Sequence, residues 1–137
     1  MFEKLTGDYK VLEKSLDASW LRNETIAQNI ANVDTPGYKR KTVAFEEYLS
    51  EAMDDSSFKG FTTDRRHIPI GGNSIESTEI MVQQDNSDLS VRLDGNNVDI
   101  ESEMASLAKN EIKYNTLVQS LYTAYSRLKS VISEGRK

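Results

Sequence analysis

The run Asn29-Ile30-Ala31-Asn32-Val33-Asp34-Thr35-Pro36-Gly37-Tyr38-Lys39-Arg40-Lys41 lets a helix arrive and stops it from continuing. Pro36 pushes Thr35 toward extended backbone. It also presets the first central position of a turn, and Gly37 supplies the positive φ that a type II turn needs at the second. Asn29 and Asn32 stand where backbone groups lose their helical partners, and their amides can replace those partners. Lys39-Arg40-Lys41 beyond the turn reads as a solvated basic cluster. Whatever precedes this point is one element, and whatever follows must start in a new direction.

Upstream, Leu5, Leu12, Ser19 and Ile26 recur every seven residues, with Leu16, Asn23 and Ile30 at the alternate positions. This spacing marks one helical face. Gly7 weakens the start, so the secure helix is predicted from about Asp8 to Asn32. Ser19 and Asn23 are polar seam positions. They suit either a simple antiparallel bundle or a register-selecting contact in an assembly.

Downstream, Asp94-Gly95-Asn96-Asn97 is a turn that leads into a second long helix. Asp99, Glu101 and Glu103 place negative charge at its positive end. Ile100, Met104, Leu107, Glu111, Tyr114, Val118, Leu121, Tyr125, Leu128 and Ile132 then alternate at spacings of four and three, and Gly135 marks the end. Ala105, Ala108, Ile112, Leu117, Tyr122, Ala124 and Val131 widen the stripe beyond what one helix covers. A helix apolar on more than one side is buried by several neighbours. No third long helix is foreseen, so the missing neighbours are expected to be other chains.

Between the helices the periodicity breaks down. Asp54-Asp55-Ser56-Ser57, Gly60, Pro69 to Asn73 and Asp85-Asn86-Ser87-Asp88 are turn or loop signals. Glu79–Gln83 and Leu89–Leu93 have the length of strands, and the second alternates as a half-buried strand does. A small hairpin and irregular chain are the two readings of this region. The fold class expected is mainly α: two long terminal helices packing as an antiparallel, coiled-coil-like pair around an irregular or β middle. As one subunit of 137 residues it divides into an N-terminal helix (1–33), a middle segment (34–97) and a C-terminal helix (98–134).

The hydrophobic fraction is 37% and the mean hydropathy −0.58. Both suit helices that need a partner to bury their apolar faces. No apolar run approaches the length of a membrane span, and the mixed polar start gives no sign of a cleaved leader. Residues 1–40 carry six basic and six acidic side chains, residues 41–97 five and eleven, and residues 98–137 six and five. An acidic middle between near-neutral ends excludes a nucleic-acid surface, which needs a concentrated basic face.

Catalytic material is sparse. His67 is the single histidine and there is no cysteine, so neither a histidine metal cluster nor a thiolate site is expected. Phosphate-binding glycine loops are absent. Asp94-Gly95-Asn96-Asn97 lacks the spacing of a calcium loop. The chain reads as a non-enzyme with no cofactor, no metal and no small-molecule substrate.

The wording of the helix stop is more specific than its physics requires. Ala27 to Tyr38 resembles the N-terminal signature of the bacterial flagellar rod and hook family of axial proteins, an A-x-N-I-A-N-x-x-T-P-G-Y run that closes an N-terminal helix. Thr63-Asp64-Arg65-Arg66-His67-Ile68 resembles a T-D-x-x-H-I element of the proximal rod branch. Asp94 to Glu103, with Ala108, Asn110 and Tyr114, is similar to that branch's D-G-N-x-V-D-x-x-x-E pattern and its A-x-N-x-x-x-Y helix. The other proximal rod type carries a P-N-V-D element that this chain lacks. Phe45 and Leu49 resemble the aromatic-then-aliphatic export-gate motif of rod and hook subunits, although a plain packing role explains them equally.

The resemblance implies a structural subunit of the flagellar basal-body rod, exported from the cytoplasm without a cleaved signal. Its terminal helices would self-assemble with other copies and with neighbouring rod proteins, near the export gate and the membrane-ring base. The motif residues implied are Asn29, Ile30, Ala31, Asn32, Thr35, Pro36, Gly37 and Tyr38. The implied assembly seam is Leu12, Leu16, Ile26 and Ile30 with Met104, Leu107, Tyr114, Val118, Leu121, Tyr125, Leu128 and Ile132. The alternatives are the other proximal rod type and a cytosolic helical adaptor or chaperone whose two helices form a stable hairpin alone.

Overall fold

In the computed structural model, residues 2–53, 80–85 and 93–135 are described. Five elements form in chain order: α1 (Phe2–Ala31), β1 (Lys41–Ala44), α2 (Glu46–Met53), β2 (Met81–Gln84) and α3 (Ile100–Glu134). The chain divides into two compact units, residues 1–43 with 82–137, and residues 44–81.

The larger unit is the antiparallel pair of α1 and α3. Tyr9 stacks on Tyr125 with ring centroids 5.8 Å apart, Asn110 Nδ2 donates to Asn23 Oδ1 (2.8 Å), and Asn29 Nδ2 donates to Glu103 Oε2 (3.0 Å). Residue numbers that rise along one helix fall along the other, the antiparallel arrangement expected of the pair. α1 begins at Phe2 rather than near Asp8 and passes through Gly7. One glycine costs a helix interior only about 1 kcal/mol, too little to break a long run.

Both ends of α3 fall where the sequence places them, with Gly135 as the C-terminal cap. Asp99, with extended backbone, accepts the Glu101 N–H and caps the N-terminus. The helix stops after Glu134, but Gly135 has φ −71° and is not left-handed. The Gly135 N–H simply continues to the Val131 carbonyl (3.0 Å).

The middle holds a two-stranded antiparallel sheet, β1 with β2. β2 overlaps Glu79–Gln83, the segment read as strand-forming, and runs one residue past it to Gln84. Its partner, however, is Lys41–Ala44, which the basic triplet had disguised as loop. The proposed second strand lies outside the described residues except for Leu93, which sits in a turn and is exposed. Thr63–Ile68, including His67, also lies outside them. In the smaller unit, Phe45 is buried and its carbonyl accepts the Leu49 N–H (2.8 Å) as α2 begins.

What is buried is unusual for a helical pair. Among the described residues, the buried apolar side chains are Ala18, Ile26, Val43, Phe45 and Val98, while Ser19, Thr25, Asn29, Asn96, Asn97, Glu103 and Asn110 are buried too. A buried polar group is costly unless fully hydrogen-bonded. The fold is therefore decided by where those seven find partners.

Candidate functional site

The end of α1 and the start of α3 are joined by a buried polar cluster, built from the two stretches that carry turn signals. α1 tightens as it ends: the Asn32 N–H is shared between the Gln28 and Asn29 carbonyls (3.2 and 3.1 Å), and the Val33 N–H reaches Ile30 (3.3 Å). Asn32 Nδ2 also donates back to the Gln28 carbonyl (2.8 Å), which keeps its helical N–H as well. The chain then reverses at Pro36-Gly37. Gly37 has φ +71°, and the Tyr38 N–H returns to the Thr35 carbonyl (3.3 Å). This is the turn the sequence predicts.

Asn29 does something other than finish its own helix. Its amide is fully buried, and its Nδ2 donates to the Lys41 carbonyl (2.8 Å) and to Glu103 (3.0 Å). Its Oδ1 accepts from the Lys41 N–H (3.0 Å) and from the Tyr38 hydroxyl (3.3 Å). Two donors and two acceptor positions are all an amide has. Asn29 satisfies every one, and towards Lys41 it stands in for a neighbouring strand.

Asn96 performs the matching task from the α3 side. Its Nδ2 lies 3.0 Å from the carbonyls of Asn32, Val33 and Thr35, and so holds together the turn that follows α1. Its Oδ1 accepts the Val98 N–H (2.8 Å), and its own N–H is held by Asp94 Oδ1 (3.1 Å). Asn97 ties the sheet to the same point. It accepts the Arg40 N–H (2.6 Å) and donates to the Asp85 carbonyl (3.3 Å). Gly95, at φ +83°, comes so close to the first turn that a Cβ there would meet Gly37 Cα at 3.9 Å. The Gly37 N–H donates to the Asp94 carbonyl (3.0 Å).

The charged centre is Glu103, 1% exposed, one turn inside α3. Arg40 Nε donates to its Oε1 at 2.6 Å, and Asn29 holds its other oxygen. This corrects two expectations. Arg40 is not one of three solvated cations, and Glu103 serves a buried ion pair rather than merely the helix dipole. Burial, and after it the Glu103 carboxylate, pushes the Tyr38 phenol above its ordinary range.

A second polar contact lies farther along the pair. Asn110 is buried, and its Nδ2 donates to the Ser19 carbonyl (2.7 Å) and to Asn23 Oδ1 (2.8 Å). The polar seam positions Ser19 and Asn23 thus meet a polar partner across the seam.

The remaining motif and seam residues are distributed as follows. Ile30 and Tyr38 are half-buried, while Ala31, Thr35 and Pro36 are exposed on the turn side. Ile26 is buried, and Leu12, Leu16, Leu107, Tyr114 and Leu121 are half-buried between the helices. Met104, Val118, Tyr125, Leu128 and Ile132 lie on exposed surface. In α3 the positions turned inward are Glu103, Leu107, Asn110, Tyr114, Leu117, Leu121 and Ala124, so the inner seam takes Asn110 and leaves Glu111 outside. Leu49 is half-buried beside buried Phe45.

Sequence reading missed Arg40, Asn96, Asn97 and Glu103 as joint residues, and Asn110 as a polar contact along the seam. A signal was present: Asn-Val-Asp occurs twice, at 32–34 and 97–99, and each copy sits at one side of the joint.

Nothing in this arrangement resembles a reaction centre. Asn29, Asn96, Asn97 and Glu103 are turned onto backbone, onto one another or onto Arg40 and Tyr38, which is how a structural device is built. Farther along the pair, Asn110 Oδ1 is buried without a hydrogen-bond partner. Among the described residues no helix is long and apolar enough to cross a membrane.

Comparison with known proteins follows the same lines. A family model described as flagella basal body rod protein matches residues 18–39, the α1 side of the joint. Flagellar basal body rod protein FlgB of Bacillus subtilis (strain 168) is 34% identical over 131 residues, covering 96% of this chain and 97% of that protein. FlgB of Yersinia enterocolitica is 30% identical over 98% of this chain and 100% of its own length. FlgB of Escherichia coli (strain K12) is 29% identical, covering 98% and 99%. Similarity at this level over both helices, the joint and the middle segment goes beyond a shared motif, and the chain belongs to the FlgB family of flagellar basal body rod proteins.

Proposed function

We propose that this chain serves as a structural subunit of the flagellar basal-body rod and assembles with other rod components through its two terminal helices. Family membership supports the rod role, since FlgB proteins are structural and not enzymes. The observation that carries assembly is the outer face of α3. Ile100, Met104, Ile112, Val118, Tyr122 and Val131 are each 40% or more exposed. Covering such a face is what the hydrophobic effect rewards, at about 25 cal/mol per Å² of apolar surface. In this reading residues 1–33 and 98–134 are the assembly helices, 34–97 is the middle segment, and the seam is coiled-coil-like. The partners are other copies, neighbouring rod proteins, the export gate and the membrane-ring base, with no cofactor or small-molecule ligand.

The test is to isolate basal bodies from cells producing this chain and to identify the proteins of the rod fraction by mass spectrometry. The chain is expected there in stoichiometric amount; its absence from intact rods contradicts the proposal.

Export recognition by Phe45 and Leu49 belongs to the same reading. Because Phe45 is buried in the folded chain, recognition would act on the unfolded one. Phe45→Ala and Leu49→Ala should lower the exported amount while the cellular amount stays constant. Unchanged export leaves these two residues with a packing role only.

A further inference from the structure

A groove of about 780 Å³ runs along α3 from Ile112 to Arg127, with Leu12 of α1 forming one wall. Its α3 lining is almost free of charge: Asn115, Thr116, Gln119, Ser120 and Thr123 precede Arg127. No charged residue occurs between Lys113 and Arg127, although 28% of the chain is charged. A groove with so little charge suits a helix face that also carries a single charge, and α1 has one. Its exposed face runs through Trp20, Glu24, Ala27, Gln28 and Ala31, at the three-and-four spacing of one helical side.

The two faces match in one antiparallel register. With Ala31 level with Ser120, Ala27 meets Ala124 and Gln28 meets Thr123. The single charge of each face then coincides, Glu24 with Arg127. One turn farther, Trp20 (61% exposed) comes level with Val131 (68% exposed). The match ends below that, where Asp17 would face Glu134.

We propose that this groove seats α1 of a second copy of the chain, resting on the reading that the chain self-assembles. Within one chain Asn29 lies level with Glu103, so the intermolecular register is displaced by about nineteen residues along α3, roughly 28 Å. α1 is antiparallel to α3 inside the chain, and a copy moved along the helix axis without inversion therefore presents its α1 antiparallel to the groove. The contact joins two different surfaces. Such a heterologous contact repeats into a polar stack rather than closing as a two-fold dimer.

Disulfide trapping between full-length chains tests this, because the natural sequence has no cysteine. Chains carrying Ala31→Cys are mixed with chains carrying Ser120→Cys, and chains carrying Ala27→Cys with chains carrying Ala124→Cys. Under mild oxidation both mixtures should give crosslinked dimer in several-fold higher yield than Ala31→Cys mixed with Glu101→Cys, the position level with Ala31 inside one chain. Glu24→Arg or Arg127→Glu alone should lower the yield, and their combination should restore it. Strong crosslinking of the control pair, or of all pairs equally, overturns this register while leaving self-assembly standing. Absence of every intermolecular crosslink, with only monomer in sedimentation at the highest attainable concentration, overturns the register and self-assembly of the chain alone.

Discussion

Arg40 and Glu103 are unequal partners. Glu103 is sealed, whereas the Arg40 side chain remains 33% exposed. Replacing Arg40 by Met strands a buried carboxylate, which in fully buried pairs costs about 3–5 kcal/mol. Residual solvent access brings the expectation nearer ~2–3 kcal/mol. Glu103→Gln leaves Arg40 able to turn to water and should cost less. Urea denaturation of the two variants checks the order, and a larger loss for Glu103→Gln contradicts it. At Gly37 the φ of +71° is the whole constraint, since nothing lies within 4 Å of a Cβ there. Gly37→Ala should cost about 1–2 kcal/mol and Gly37→Asn less, because Asn tolerates the left-handed region. Equal losses for both would point to a clash that the geometry does not contain. Tyr38 makes one contribution to stability at alkaline pH. Its folded pKa lies above the ordinary 10.0, so the folded chain keeps the phenolic proton longer than the unfolded one. Its contribution is complete below about pH 10 and lost as pH rises through the folded value. Tyr38→Phe should flatten part of that decline in stability. Tyr125, whose phenol is raised chiefly by its hydrogen bond to Glu13, provides the comparison as Tyr125→Phe. The turn at 35–38 was legible in the sequence because Pro and Gly each impose a backbone angle by themselves. Asn96 and Glu103 were not, because a side chain that works by reaching 61 to 74 residues along the chain leaves no local pattern.

At the scale of elements, α1 and α3 are held most firmly at one end. The polar joint and Val98 secure the region around Glu103, and Asn110 adds a contact midway. Beyond Tyr125 every described residue of α3 is exposed. Hydrogen exchange followed by mass spectrometry should therefore show protection falling along α3, highest over 103–117 and lowest over 126–134. Uniform protection would contradict an anchored joint with an open far end. Asn110→Leu should shorten the protected stretch, since it leaves the Ser19 carbonyl and Asn23 without their buried donor. Helix existence was legible from the heptads. The register was not, because the stripe on α3 is wide enough to offer two neighbouring faces, and polar residues rather than leucines select the inner one. The pairing of β1 was hidden for a related reason. Lys39-Arg40-Lys41 has the composition of solvated loop, and only Asn29, Asn97 and Glu103 make it part of the interior.

For the molecule as a whole, the central claim is a division of labour. A polar joint fixes how α1, the turn and α3 meet, and the apolar outer face of α3 is left for other rod chains to cover. The sequence foretold this excess of apolar surface, and the inner seam between α1 and α3 consumes only part of it. Cysteine accessibility measures the claim directly. Ile112→Cys and Tyr122→Cys introduce single thiols at positions 70% and 69% exposed in the free chain. Each variant is labelled with a water-soluble maleimide, once as purified chain and once within basal bodies isolated from swimming cells. The account predicts rapid labelling of the free chain and labelling slowed by at least an order of magnitude in the rod at both positions, as close packing excludes reagent. Equal labelling in both states would show that the outer face of α3 stays open in the assembled rod, and would contradict the account.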